Sequence, residues 1–138
     1  MGYVAADDYD GAGEMVRYLA GLGRTRIATI AGPEDTSGGI RRYDAYVDEL
    51  GEAFDASLLA AGAIDVLLAQ GRRVPEDVAV GGFDDAPIAT LTTPAITTMH
   101  QPFERISEEM VRLLLRVIDG ERPAAIVLPT DLVLRASA

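Results

Sequence analysis

Short apolar runs alternate with longer amphipathic segments along this chain, and no other feature limits its possible folds as strongly. The apolar runs have the length of buried strands and are predicted to form them at 2–6, 26–31, 78–83, 96–100, 125–128 and 131–134. Helices are predicted between these strands at 11–22, 40–50, 57–70 and 103–119. The repetition of strand and helix predicts an α/β fold: a parallel sheet with helices on both faces.

Polar and helix-breaking residues mark the ends of the predicted helices. Asp10 is suited to cap the first helix, because its side-chain oxygen can accept a hydrogen bond from a free amide of the first turn. Gly71 and Gly120 follow two later helices, as is common where a helix ends. The helix at 103–119 has the clearest apolar stripe, formed by Phe103, Ile106, Met110, Leu113, Leu114 and Val117.

The alternation of strand and helix fails near 51–57. Two predicted helices are separated there only by GEAFDA, whereas neighbouring parallel strands are joined by a crossover of about a dozen or more residues. Either the fold departs locally from α/β order, or a strand–helix unit of about 30 residues is absent. The absence of one unit is the favoured interpretation.

The composition excludes several classes of protein. The 138 residues carry a formal net charge of −10, and so acidic a surface repels the phosphates of nucleic acids. All 12 basic residues are arginine, which excludes Schiff-base chemistry and the P-loop, since both need lysine. There is no cysteine, no apolar run near the roughly 18 residues of a membrane span, and no secretory signal pattern. A cytoplasmic protein without membrane contact is expected.

Polar side chains follow three predicted strands at their carboxyl ends, where open parallel sheets bind ligands. They are Asp7, Asp8 and Asp10 after the first strand, Thr36, Ser37, Arg41 and Arg42 after the second, and Asp84 and Asp85 after the third. An arginine and a carboxylate facing one cleft can form paired hydrogen bonds with neighbouring hydroxyl groups, so Arg42 and Asp84 suit a polyhydroxylated ligand. The alternative is that these are solvated loop charges that pair with one another.

Catalytic and metal-binding alternatives lack residues that they need. Aspartates at a strand end can hold Mg²⁺ for phosphoryl transfer, as in a response-regulator receiver, but that chemistry normally also needs a lysine. His100 is the single histidine and has no glycine-framed serine to activate, so a structural role is expected for it. The sequence therefore predicts no catalytic residue, no metal site and no cofactor.

Three segments carry longer motifs that cover nearly the whole chain. They are DGAGEMVRYLAGLGRTRIATIAGPEDTSGGIRRYDAY, GRRVPEDVAVGGFDDAPIATLTTPAITTMHQP and LLLRVIDGERPAAIVLPTDLVLRAS. Together they resemble the lac-repressor/gal-repressor (LacI/GalR) family of transcription regulators. The second segment is the most specific, since it closely matches the family pattern V-P-x-D-V-x-V-x-G-F-D-D followed by L-T-T and Q-P.

This resemblance implies a periplasmic-binding-protein-like I (Rossmann-like) fold of two α/β lobes, with a small effector bound between them. It implies that 1–138 is a partial effector-binding domain, mainly the C-terminal lobe. The segment 96–122 would include the crossover and a helix of the other lobe. DNA would be bound only through a helix-turn-helix that this segment does not contain.

The resemblance also assigns roles to individual residues. By position, Arg42, Asp84 and Gln101 match family residues at or near the effector, and Thr36 and Asp8 complete the predicted ligand-binding set. Leu58 departs from the family pattern, which has an acid or amide there that usually contacts effector.

A homodimer is expected because in this family the helix matching 57–70 and the loop after F-D-D pack across a two-fold axis. The predicted interface consists of Leu58, Leu59, Gly62, Val66 and Ile88, and the alternative is that these residues belong to the core.

The leading functional prediction is the effector-sensing module of a transcription regulator. The effector is expected to be a small polar molecule, and a sugar is the favoured class. A solute-binding protein of related fold is one alternative. A scaffold fragment that binds nothing is the other. An enzyme is not expected, because no nucleophile–base pair or metal cluster is found.

Overall fold

The computed structural model describes residues 2–24, 27, 36–50 and 60–138. Ten elements are present in chain order: β1 (Val4–Ala6), α1 (Asp8–Gly21), α2 (Ser37–Leu50), α3 (Ala60–Ala69), β2 (Gly81–Asp84), α4 (Ile88–Leu91), β3 (Thr97–His100), α5 (Phe103–Ile118), β4 (Ile126–Leu128) and β5 (Asp131–Val133). The predicted strand at 26–31, apart from residue 27, lies outside the described residues, as do the break at 51–57 and the predicted start of α3. The short helix α4 was not predicted.

The described strands form two separate sheets. In the first, β1 pairs in parallel with β4. In the second, β2 pairs in parallel with β3, and β3 pairs antiparallel with β5. The predicted α/β architecture is confirmed, but the pairing of β1 with β4 in a separate sheet and the antiparallel strand were not predicted, because alternation along one strand does not encode its partner.

The two sheets divide the molecule into two units. The larger unit contains β2, β3 and β5 with helices α1 to α4, and the smaller unit contains β1, β4 and α5. Within the described part of the chain, the elements of each unit pack mainly on elements of the same unit.

The larger unit has apolar clusters on both faces of its sheet. On one face, Met15 and Leu19 of α1 pack against Met99 of β3. On the other, Ile64 of α3 packs with Val80 and Ile96. Because successive residues of a strand point to opposite faces, one short strand can serve both clusters.

The smaller unit covers much less of its apolar surface. Leu113 is buried on α5, but most other apolar side chains of that helix are exposed. No helix in the described part of the chain is long and apolar enough to span a bilayer.

The N-terminus of α1 corrects one prediction. Asp7, not Asp10, is the capping residue, since its Oδ1 accepts a hydrogen bond from the amide of Asp10 at 3.2 Å. Asp8 and Asp10 instead lie in the first turn, where negative charge is favourable beside the positive end of the helix dipole. With several aspartates in succession, the sequence did not identify which one occupies the capping position.

Candidate functional site

The chain passes between the two units three times, at 6–8, 100–103 and 128–131. Each passage leaves the carboxyl end of a strand: β1, β3 and β4 in turn. The carboxyl ends of the parallel strands in both units therefore meet the same region, which is where sheets of this kind bind ligands.

Arg42 and Asp8 form an ion pair in this region. Nη1 of Arg42 lies 2.8 Å from Oδ1 of Asp8, and both side chains are mostly buried. The guanidinium carbon of Arg42 also lies 5.1 Å from the ring centroid of Phe83, within range of a cation–π interaction. Gly38 leaves space for this pair, since a Cβ there would lie 3.1 Å from Oδ2 of Asp8.

Asp84 and Gln101 form a second polar pair. Nε2 of Gln101 donates a hydrogen bond to Oδ1 of Asp84, which directly follows Phe83. The structure therefore pairs Arg42 with Asp8 and Asp84 with Gln101, and the contact of Arg42 with Phe83 links the first pair to the strand that ends at Asp84. The sequence analysis did not identify Phe83 as part of the site, although an aromatic residue at the end of a strand, next to a candidate carboxylate, was an available signal.

The turn after β2 has an unusual backbone. The φ angles of Asp84 and Asp85 are 81° and 50°, in the left-handed region that residues other than glycine seldom adopt. Oδ1 of Asp85 lies 2.6 Å from Nη2 of Arg135, and its Oδ2 lies 3.4 Å from Nδ1 of His100. The pair of Asp85 with Arg135 could not be predicted from local patterns, since 50 positions separate the two residues.

Other predicted polar residues have structural partners. Oγ1 of Thr36 accepts a hydrogen bond from the amide of Gly39 at 3.2 Å, so Thr36 caps α2. Arg41 pairs with Asp7 at 3.4 Å on the surface. The described contacts of Thr36 thus fix the start of the helix that carries Arg42.

The predicted interface residues are only partly within the described chain. Leu58 and Leu59 lie outside it. Val66 and Ile88 are 48% and 53% exposed, and a Cβ added to Gly62 would meet no described atom within 4 Å. These three residues therefore face outward rather than into the core.

Two depressions on the described surface lie away from this polar cluster. One of about 440 Å³ lies along α5, lined by Ser107, Glu108, Val111 and Arg112, and one of about 360 Å³ lies beside the start of α1, near Asp7 and Thr130. The first lies on the surface of a single helix, without polar groups converging on it from other elements. Among the described residues, no group of three or more histidine, cysteine or acidic side chains is placed to hold a metal ion. The cluster around Arg42 and Asp84 is therefore the stronger candidate.

A model of the periplasmic binding protein-like domain matches residues 53–138. Among curated proteins, the HTH-type transcriptional regulator CelR of Thermobifida fusca is 35% identical over 174 aligned positions, which cover 98% of this chain and 51% of the regulator. This chain thus spans about half the length of that relative.

The alignment with CelR is at least 36 positions longer than the 138-residue chain, so CelR has residues without a counterpart here. That difference is compatible with one absent strand–helix unit of about 30 residues.

Solved structures give the same result. One described as a transcriptional regulator CelR–cellobiose complex matches with a TM-score of 0.93 and 32% identity, over 100% of this chain and 54% of that one. A LacI transcriptional regulator from a Rhodococcus species matches with a TM-score of 0.89 and 26% identity, over 99% of this chain and 64% of the other. With the domain match, these similarities show that the chain belongs to the periplasmic-binding-protein-like family, among the LacI-type transcription regulators.

Proposed function

We propose that this chain is the effector-sensing part of a LacI-type regulator and that its effector is a sugar. Effector binding between the two units would alter how a helix-turn-helix elsewhere in the full regulator engages DNA in the cytoplasm. In this proposal the smaller unit belongs to the second lobe of the binding domain, and the segment itself does not contact DNA. Its net charge of −10 supports the last point, because it repels phosphates.

The observation that carries this proposal is that strand ends position two polar pairs, Arg42–Asp8 and Asp84–Gln101, with Arg42 against the ring of Phe83, the residue before Asp84. Sugar hydroxyl groups both donate and accept hydrogen bonds, and the cluster offers a guanidinium, an amide and two carboxylates. The charged groups also give stronger hydrogen bonds than neutral ones. Thr36 would act indirectly, by fixing the start of the helix that carries Arg42.

Calorimetric titration tests the proposal, with cellobiose first because CelR is described in complex with it. We expect Arg42→Ala and Asp84→Ala each to weaken binding about ten- to a hundredfold, the cost of one hydrogen bond to a charged group. Arg73→Ala is the matched control, since it removes an arginine from an exposed ion pair with Asp77. Absence of binding to cellobiose and to a panel of mono- and disaccharides would contradict the proposal, as would an affinity unchanged in both site variants.

We also propose that the protein is a homodimer through α3 and α4. Ala89 of α4 packs with Ile64 of α3, so both helices cover one face of the larger unit and present Val66 and Ile88 outward. Exposed apolar side chains on neighbouring elements are typical of an interface. Sedimentation of the Val66→Asp, Ile88→Asp double variant should show a monomer where the parent protein is a dimer. A monomeric parent protein at high concentration would count against this interface.

A further inference from the structure

We propose that Asp85 is a positioning residue for the sugar site. Through a mostly buried ion pair with Arg135, it holds the turn on which Asp84 meets Gln101, and so sets the affinity of the site. This inference rests on the proposed function, but its central claim concerns the protein without ligand.

The pair between Asp85 and Arg135 is enclosed. The two side chains are 16% and 18% exposed, and 2.6 Å separates Oδ1 from Nη2. Oδ1 of Asp85 is buried and accepts no properly oriented hydrogen bond among the described residues, so the guanidinium is what compensates its charge. Removing one partner of a buried pair leaves an uncompensated charge, which is strongly unfavourable.

Arg135 is itself fixed by contacts away from the ligand cluster. Its Nη1 donates to the carbonyl of Ile96 at 2.8 Å, and its amide donates to Oγ1 of Thr97 at 2.9 Å. Two residues further on, Oγ of Ser137 accepts from the amide of Thr97 at 2.9 Å. Contacts with β3 and the residue before it therefore fix the guanidinium, and the fixed guanidinium can hold the side chain of Asp85 in place.

The turn needs such an anchor because its backbone is strained. Positive φ angles at non-glycine residues persist when surrounding contacts hold them, and both Asp84 and Asp85 have such angles. Asp85 has the contacts: Arg135 on one carboxylate oxygen, His100 near the other, and Oγ1 of Thr98 at 3.4 Å from its amide. Asp84 directs its carboxylate to Gln101 instead, at the passage into the smaller unit.

The side-chain amide of Gln101 is a direct probe of this arrangement. The chain has two glutamines, Gln70 and Gln101, and no asparagine, so a ¹⁵N–¹H spectrum contains two side-chain amide groups. Gln70 is exposed and serves as the internal reference. In the parent protein without ligand, we expect the Gln101 amide to exchange with water more slowly than that of Gln70.

Asp85→Ala and Arg135→Met should each bring the exchange rate and chemical shift of the Gln101 amide close to those of Gln70. Asp77→Ala is the matched control, because Asp77 also lies 2.6 Å from an arginine Nη2, that of Arg73, but on the surface. The hydrogen bond from Arg73 lowers the pKa of Asp77 from 3.8 to about 2. A Gln101 amide that is unchanged in both site variants overturns the inference.

Arg135→Lys is a second variant for the case in which Arg135→Met does not fold, since lysine keeps the positive charge that compensates Asp85. We expect it to fold and to change the Gln101 amide less than Arg135→Met does, because lysine cannot bridge Asp85 and the Ile96 carbonyl with a planar fork. Equal effects of the two substitutions in folded protein would contradict a positioning role for the guanidinium.

Measured sugar affinities distinguish a positioning role of Asp85 from a general structural role. Asp85→Ala should weaken binding about ten- to a hundredfold, as when groups that orient a binding side chain are removed. In an Asp84→Asn background, the same substitution should cost little more, because the carboxylate that it positions is already gone. An equal loss in both backgrounds would overturn the inference. If no sugar binds the parent protein, the proposed function fails, while the ligand-free spectrum still decides whether Asp85 holds the Asp84–Gln101 pair.

Discussion

The larger unit buries most of its apolar surface, whereas the smaller unit leaves much of its apolar surface exposed. In the larger unit, helices cover both faces of the sheet, and Met99 at its centre is fully buried. In the smaller unit, two strands support one helix, and the apolar side chains of α5 that remain exposed are Phe103, Met110, Val111, Leu114, Leu115, Val117 and Ile118. The apolar face of an amphipathic helix needs a surface to pack against. Two strands are too few to cover the whole apolar face of α5.

This difference predicts how stability is distributed. Free energy from apolar burial scales with the area removed from water, so the larger unit should supply most of it. The smaller unit is held by Ala6, Leu113 and Leu128, its buried apolar side chains, and by the three passages of the chain between the units. Substitutions at matched positions can test this distribution.

The largest expected contrast is between Met99→Ala and Leu113→Ala. Met99 is fully enclosed, so its removal should leave a cavity and lower the free energy of unfolding by about 2–5 kcal/mol. Leu113 is buried on a helix whose neighbouring side chains are open to water, and its loss should cost about 1–2 kcal/mol, because such a site can collapse or hydrate. Urea denaturation followed by circular dichroism measures both. Equal losses would show that the smaller unit is packed as tightly as the larger.

The packing of α1 against the passage at 128–131 can be tested at Gly11. A Cβ at this position would overlap Oγ1 of Thr130 and lie 3.2 Å from Cζ of Phe83, so Gly11→Ala should destabilise the protein by about 1–3 kcal/mol through overpacking. Gly62→Ala is the control, because it also adds a methyl group within a helix but meets no described atom within 4 Å.

Gly62→Ala should be neutral or stabilising by up to about 1 kcal/mol, the usual gain from replacing a helical glycine. Combining Gly11→Ala with Thr130→Ala should restore part of the loss, since it removes the overlapping hydroxyl. If Gly11→Ala alone is as harmless as the control, the passage near Thr130 is not packed as described.

The same contrast explains what the sequence could and could not predict. Periodicity located α5 to within one residue of its end. The rule for carboxyl ends of strands selected Arg42 and Asp84, and their shared site stays a prediction. Periodicity did not reveal that α5 would be left exposed, because it describes one element and not its neighbours. It also did not reveal that β1 pairs with β4, which are more than a hundred residues apart.

The contacts of the site that were not predicted from the sequence also depend on tertiary packing. The ion pair of Asp85 with Arg135 joins a turn to a terminal segment, so only the folded chain brings its members together. The contact of Arg42 with the ring of Phe83 likewise joins α2 to β2, which are far apart in the sequence. Residue type and spacing identified individual candidates, whereas their partners followed from tertiary packing.

The smallest expected effect comes from neighbouring leucines on α5. Leu114 is 56% exposed and Leu113 is 9% exposed, although they are adjacent on one helix. Because glutamine and leucine have similar helix propensities, Leu114→Gln should change the free energy of unfolding by no more than about 0.5 kcal/mol, whereas Leu113→Gln should cost clearly more through burial of an amide. Urea denaturation at several protein concentrations compares the two. A large cost for Leu114→Gln that grows with concentration would mean that a second copy covers this face of α5, because association stabilises the folded state by mass action.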